Sequence, residues 1–349
     1  MPNYTTIDKH TDHFNTKLYT GNNSTNAQTG VGFQPDWLWI KCRSHADSSQ
    51  LVDALRGTNA LRSDGNNAQS DIANNGFTSL DSDGFTLNGN GSGGNVNNSG
   101  RTYAAWNWKA NGQGSSNTDG SINTTYTSVN TTAGFSIITY TGTGSVGTIG
   151  HGLGVKPNVI FQKRLDSTPA WTVYHDKFDS NPSHKYLYLN TNGALADYAD
   201  HWNDTEPTSS VITLGTDTSV NGNGYTNVIY AFAEKTGYSK FGSYVGNGSG
   251  QGSFIYTGFK PAFVMIRNYG TTQDWYMLDT KRNTGNIVNS YLRANDGGAE
   301  STYNFIDIYS NGFKCNNNGT AANAANNNFI YMAFGQSIVG SNNVCATAR

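Results

Sequence analysis

The sequence predicts an all-β protein: three tandem β-sandwich, jelly-roll-like modules of about 100 residues each. Three observations carry that expectation. The same markers recur three times in the same order. The composition favours turns over helices. Apolar residues alternate or run for five or six positions, then meet Gly, Asn or Ser.

The recurrence is the strongest of the three. "GFQPDWLWIKCR" begins at Gly32, "GVKPNVIFQKR" at Gly154 and "GFKPAFVMIRN" at Gly258. Pro35, Pro157 and Pro261 are the structural markers of the repeat, each opening an apolar run that ends in basic residues. Tyr19, Tyr140 and Tyr244 stand sixteen or seventeen residues ahead of them. Asp53, Asp176 and Asp279 stand eighteen, nineteen and eighteen residues behind. A leucine segment follows (Leu61, Leu187, Leu292), then Leu87, Leu214 and Cys315. Each unit closes on an aromatic strand, "YAAWNWK", "VIYAFAE" or "IYMAFGQ".

The element after each Pro reads as a central strand. One face carries Trp37, Trp39 and Lys41, with Val159, Phe161, Lys163 and Phe263, Met265, Arg267 as counterparts. The other face carries Leu38 and Ile40, Ile160 and Gln162, Val264 and Ile266. Both faces are mostly apolar, so the strand should be covered on both sides. A Pro is tolerated at a strand start. In the closing strand, Trp106 and Trp108 match Tyr230 and Phe232, and Met332 and Phe334. No unit shows a convincing helical pattern.

These markers divide the chain into an N-terminal arm (1–15), modules at 16–112, 134–236 and 237–338, a flexible polar linker (113–133) and a C-terminal tail (339–349). The second and third modules, joined only by "EKTGYSK", should be stiffly coupled, with the first free to move. Tandem sandwiches of this kind would make a stiff rod. The polar first 15 residues are a candidate attachment arm.

Composition narrows the function. Charged residues are 13%, about half the usual share of roughly 25%. Gly reaches 41, and Asn outnumbers it; both supply positive-φ turn positions. A net charge of −2 gives no basic patch to track nucleic acid. No apolar stretch is long enough to span a membrane, and the first residues lack the apolar region of a secretory signal. Cys42, Cys315 and Cys345 are too few and scattered for a disulfide framework or a zinc site. Cys42 reads as a small buried residue, and Cys345 as either a bland or a reactive thiol.

No motif demands catalysis, a cofactor or a metal. "GTGSVG" at Gly142 has the spacing of a dinucleotide loop, but "TIGHGLGVKP" follows and cannot form the required helix. The Asp residues at 53, 176 and 279 are each followed by a basic residue (Arg56, Lys177, Arg282). They read as turn caps or surface ion pairs, one per module. The seven His are scattered, without a metal-ligand spacing. The second unit alone carries "ALADYADHWNDTEP", with Tyr198, Asp200, His201 and Trp202 as candidate ligand-binding residues. Aromatic rings beside carboxylates make a sugar platform. They equally make an ordered loop packed on its own domain.

Several of these segments resemble a family of repeat-bearing virion proteins of tailed bacteriophages, common in phages of marine bacteria. They are "GVGFQPDWLWIKCRS", "DSDGFTLN", "YAAWNWKANG", "YAFAEKTGYSKFGSYVGNGS" and "GFKPAFVMIRN". The second unit departs from the pattern, since "SSVITLG" lacks the Gly-Phe pair. The resemblance implies a virion structural protein assembled in the host cytoplasm, of tail-fibre or appendage type, with no established catalytic residues. It would contact other virion proteins and a host-surface glycan or receptor. Homo-oligomerisation, most simply as a trimer, is expected because appendages gain avidity that way, and the charge balance predicts no nucleic-acid partner. A capsid-decorating protein is the alternative. A glycan-degrading enzyme, of another class, would need two carboxylates about 5–10 Å apart across a cleft.

Overall fold

The computed structural model describes residues 5–89 and 95–337; the tail at 339–349, with Cys345, and the first four residues lie outside the described residues. The protein is all-β. Its two α-helices among the described residues, Ala199–Trp202 and Thr218–Asn221, are single turns in the second unit.

One four-strand order recurs along the chain. In the first unit, strands β1 (Phe14–Thr20), β2 (Trp37–Cys42), β3 (Gln50–Asp53) and β4 (Thr102–Trp108) pair antiparallel as β1-β4-β2-β3. In the second, β5 (Phe135–Thr141), β6 (Val159–Arg164), β7 (Thr172–His175) and β8 (Thr226–Phe232) pair as β5-β8-β6-β7. In the third, β9 (Ser239–Val245), β10 (Phe259–Asn268), β11 (Tyr276–Asp279) and β12 (Asn328–Ser337) pair as β9-β12-β10-β11. The strand after each Pro is thus central. Pro35 and Pro157 precede their strands, whereas Pro261 lies inside β10 at a register shift, one of the places where a sheet accepts it.

Each sheet is covered on both faces. The outward face meets a second layer of its own unit: Asn26–Gln28, Gly84–Leu87 and Phe77–Asp81 in the first, Phe254–Tyr256, Gly312–Cys315 and Ser301–Tyr309 in the third. The second unit has only Gly147–Gly150 paired with Val211–Leu214. The helix Ala199–Trp202 and its loop occupy the point in the chain where the others place a third outer strand. Leu38, Ile40 and Tyr103 pack between the layers of the first unit, as Ile160 and Ile229 do in the second, and Val264 and Phe329 in the third.

The inward faces share one core. Trp37, Trp39, Trp106 and Trp108 pack in the same cluster as Phe161, Tyr230, Phe232, Phe263, Met332 and Phe334. Every pair of units meets there. Trp37 stacks on Tyr230 at 4.4 Å, Trp106 meets Phe263 edge-on at 5.8 Å, and Phe232 meets Phe334 at 5.8 Å. Hydrogen bonds run round the same ring. Trp171 Nε1 donates to Arg62 O at 2.9 Å, Trp275 Nε1 to Tyr188 O at 3.0 Å, and Ser63 Oγ to Ala294 O at 2.7 Å. The units therefore close on one another around a common core, rather than lying in line as a rod with a loosely tethered first unit.

The expected linker and arm are packed as well. Within 113–133, Ser115 bridges Thr127, Ile122 bridges Ile149, and Tyr126–Asn130 pairs with β5. At the other end, Ile7 and Phe14 are buried. Gln336 of β12 accepts from His10 N and donates to Asp8 O. Residues 5–15 thus bind the start of the chain to the third unit.

The Asp markers need one correction of register. Trp37 pairs with Asp53 and Phe263 with Asp279, but Val159 pairs with His175, not Asp176. Three residues on, Arg56 and Arg282 correspond to Phe178. The two ion pairs are buried rather than on the surface. Arg56 Nε meets Asp53 Oδ2 at 2.7 Å and Arg282 Nε meets Asp279 Oδ2 at 2.5 Å, with no pair member's side chain more than 3% exposed. Each carboxylate also caps its turn, accepting from the backbone N of Arg56 or Arg282. Each reaches the next unit: Asp53 accepts from Tyr230 OH at 2.6 Å, and Asp279 from Trp106 Nε1 at 3.1 Å. The second unit replaces this charge pair with neutral groups. His175 Nε2 lies 3.3 Å from Tyr331 O in the third unit, and the Phe178 ring packs at 5.9 Å. Asp176 instead bonds Asn158 and Lys177, with its side chain 9% exposed.

Burial pushes the His175 imidazole down to about 4, against the opposing pull of Asp176. An unfolded histidine near 6.5 takes up a proton that folded His175 refuses, so stability is full above that value and falls as pH drops towards 4. The contribution is roughly 3 kcal/mol. Urea unfolding at about pH 7 and about pH 4.5 should show a smaller acid loss in His175→Gln than in the unaltered protein. Equal losses would contradict this account of His175.

Candidate functional site

The segment unique to the second unit is anchored before it is exposed. Lys185–Tyr188 pairs with Ala196–Asp197, with Lys185 opposite Asp197. Tyr198 enters the helix in an extended conformation, and Asn203 ends it at φ 51°, the left-handed region Asn tolerates at a helix end. Farther on, Glu206 ties the loop down: its carboxylate accepts from Tyr174 OH, Lys156 Nζ and, at 3.0 Å, Ser183 N.

This single turn sends the four candidate residues two ways. Trp202 and His201 point inward and are each 2% exposed, whereas Tyr198 is 42% exposed and Asp200 is exposed. Trp202 packs edge-on against Tyr174 at 6.1 Å. The His201 ring sits edge-on between Tyr186 at 4.4 Å and Tyr198 at 5.2 Å. The turn therefore packs two of the four candidates into its own unit and leaves the other two on the surface.

Sequence reasoning missed the rest of the patch. Tyr186 and Tyr188 flank buried Leu187, so their rings share the outward face, 4.9 Å apart. The alternation in "KYLY", around the leucine marker Leu187, is the signal for it. Asp217 and Ser219 come from the short Thr218–Asn221 helix and its cap; Ser219 Oγ donates to Asp217 Oδ1. The hydrogen bond to Asp200 raises the Tyr198 phenol above its ordinary pKa.

His201 does not form a serine-activating relay. His201 Nε2 lies 3.4 Å from Ser219 Oγ and 3.8 Å from Asp217 Oδ1, while Nδ1 has no partner. An activated serine needs the hydroxyl on one ring nitrogen and the orienting carboxylate on the other; here both meet the same nitrogen. Burial lowers the His201 pKa, opposed by Asp217 and Asp200. Among the described residues, no three His, Cys, Asp or Glu side chains are grouped to hold a metal. What remains outward is three phenol rings with two carboxylates that can accept from hydroxyls.

The other candidate motifs are structural. In "GTGSVG", Gly142 approaches Gly222 O so closely that a Cβ would stand 2.4 Å away. Asn221 clamps the turn, its Oδ1 accepting from Thr143 N and its Nδ2 donating to Ser145 O. Tyr140 OH donates to the neighbouring Val220 O. The same clasp recurs as Tyr19 to Val96 O with Asn97, and Tyr244 to Ala322 O with Asn323. The glycines thus serve a hairpin, not a phosphate. His151 is fully buried, with Nε2 3.3 Å from Thr208 O and Nδ1 accepting from Leu153 N. Cys42 and Cys315 are buried and unpaired.

No curated protein and no solved structure matches the chain. Residues 9–337 match one family from end to end, across all three units, and the chain belongs to it: the family described as a domain of unknown function, DUF7483.

Proposed function

We propose that this protein is a non-catalytic structural and adhesive component of a bacteriophage virion, of tail-fibre or appendage type, which presents a glycan-binding surface to the host. The motifs quoted above support the virion setting. The observation that carries the adhesive part is the Tyr186–Tyr188–Tyr198 patch with Asp200 and Asp217, raised on an anchored loop that only one unit carries. Loops that differ on a repeated scaffold are where function diverges. The shared core supplies stiffness as a knob rather than a rod. Three units around one centre also give each chain, by itself, the arrangement a homotrimer would otherwise provide. Many copies on a particle would add avidity without any tight single contact.

Single-particle imaging of intact virions tests the setting. The reading expects this three-lobed body on the tail or an appendage. A regular array on the capsid faces favours the decorating role, and absence from purified particles defeats both. For adhesion, the purified chain should bind host cells, and Tyr186→Ala with Tyr198→Ala should remove that binding while the protein still unfolds in one cooperative transition.

A further inference from the structure

We propose that the first unit carries a second, separate binding site, for an uncharged sugar residue. It is a recess of about 310 Å³ between the outer strand Phe77–Asp81, the turn after β3 and the turn at Gly112. That volume lies at the small end of the roughly 300–1,000 Å³ range of ligand sites, and suits one or two sugar rings.

The lining chemistry selects the ligand. Gln34, Thr58, Thr78, Ser79 and Gln113 present amides and hydroxyls, Leu80 adds apolar surface, and no charged side chain lines the recess. Among the described residues the side chains of Gln34, Thr78 and Gln113 have no partner, so their hydrogen-bonding groups are available. An amide donates and accepts at once, which matches neighbouring hydroxyls on a sugar. An anion would find no cation here.

The walls are pre-set. Asp36 is 3% exposed; its carboxylate accepts from Ala110 N at 2.6 Å and Gly112 N at 3.1 Å, and its backbone O from Ala54 N at 2.9 Å. Gly57 and Gly112 hold φ of 63° and 60°, and a Cβ at either would point into open space. The neighbouring turns of the other units are built differently. At the matching turn of the third unit, Leu278, Thr280, Ile306 and Ile308 close an apolar slit with no room for water. In the second, Asn158 and Lys177 bond Asp176 across the turn.

The test uses the full chain and ligand-observed NMR titrations at millimolar concentrations. The probes are glucose, galactose and N-acetylglucosamine, with N-acetylneuraminic acid as the charged comparison. At least one neutral sugar should bind. Gln34→Ala with Gln113→Ala should weaken it roughly tenfold, the loss expected from two hydrogen bonds. Thr78→Trp, which fills the recess, should abolish it. Tyr186→Ala with Tyr198→Ala should leave it unchanged, which separates this site from the patch on the second unit. The proposal is overturned if no neutral sugar binds, if binding survives the glutamine pair, or if the charged sugar binds as well as the neutral ones. The glutamines line an open surface, so that variant keeps the test valid even if Thr78→Trp fails to fold.

Discussion

Trp37→Ala should destabilise the whole molecule, not the first unit alone, by about 3–5 kcal/mol. Trp37 is 1% exposed and touches Trp39 and Trp108 of its own unit together with Phe135, Phe161, Tyr230 and Phe232 of the second. Removing the indole leaves a cavity where two sheets meet, and close-packed neighbours refill it only in part. Chemical denaturation followed by circular dichroism measures the loss. A change of less than about 1 kcal/mol would mean that the ring is not held between units as described.

Arg282→Ala should cost a comparable amount, about 3–5 kcal/mol, because it strands a buried carboxylate. The guanidinium bonds Asp279, Met277 O and Glu300, and lies 5.6 Å from the Trp106 ring. Glu300 in turn takes two bonds from Arg43 of the first unit, at 2.9 and 2.8 Å. The network therefore joins the third unit to the first. Copying the second unit's solution, Asp279→His with Arg282→Phe, removes both charges together. That double variant should be more stable than Arg282→Ala alone, since a neutral replacement avoids the unpaired charge. The reverse order of stabilities, from the same denaturation curves, would contradict the ion-pair argument.

The repeat was legible because its markers are few and chemically distinct. Tyr19, Tyr140 and Tyr244 each have one phenol–carbonyl bond to make, so their spacing from the following Pro hardly varies. The alternation of Trp37 and Trp39 against Leu38 and Ile40 showed a strand covered on both sides. It could not show that the tryptophan side would be covered by the other units, because an apolar face carries no record of its partner. The Asp markers misled by one residue: His175 and Asp176 are adjacent, and only pairing with Val159 decides which faces the seam. Asn97, Asn221 and Asn323 escaped notice because Asn is common everywhere in the chain. Polar composition made 113–133 look like a linker, yet Ile122 alone, 8% exposed, suffices to mark it as packed.

The central claim is that three units share one core and hold together as one body. Differential scanning calorimetry of the intact chain tests it most directly. A shared core predicts a single transition whose calorimetric and van't Hoff enthalpies agree, with Trp37→Ala lowering that one transition as a whole. Two or three resolved transitions, only one of them moved by Trp37→Ala, would show separate domains strung on a chain and would contradict it.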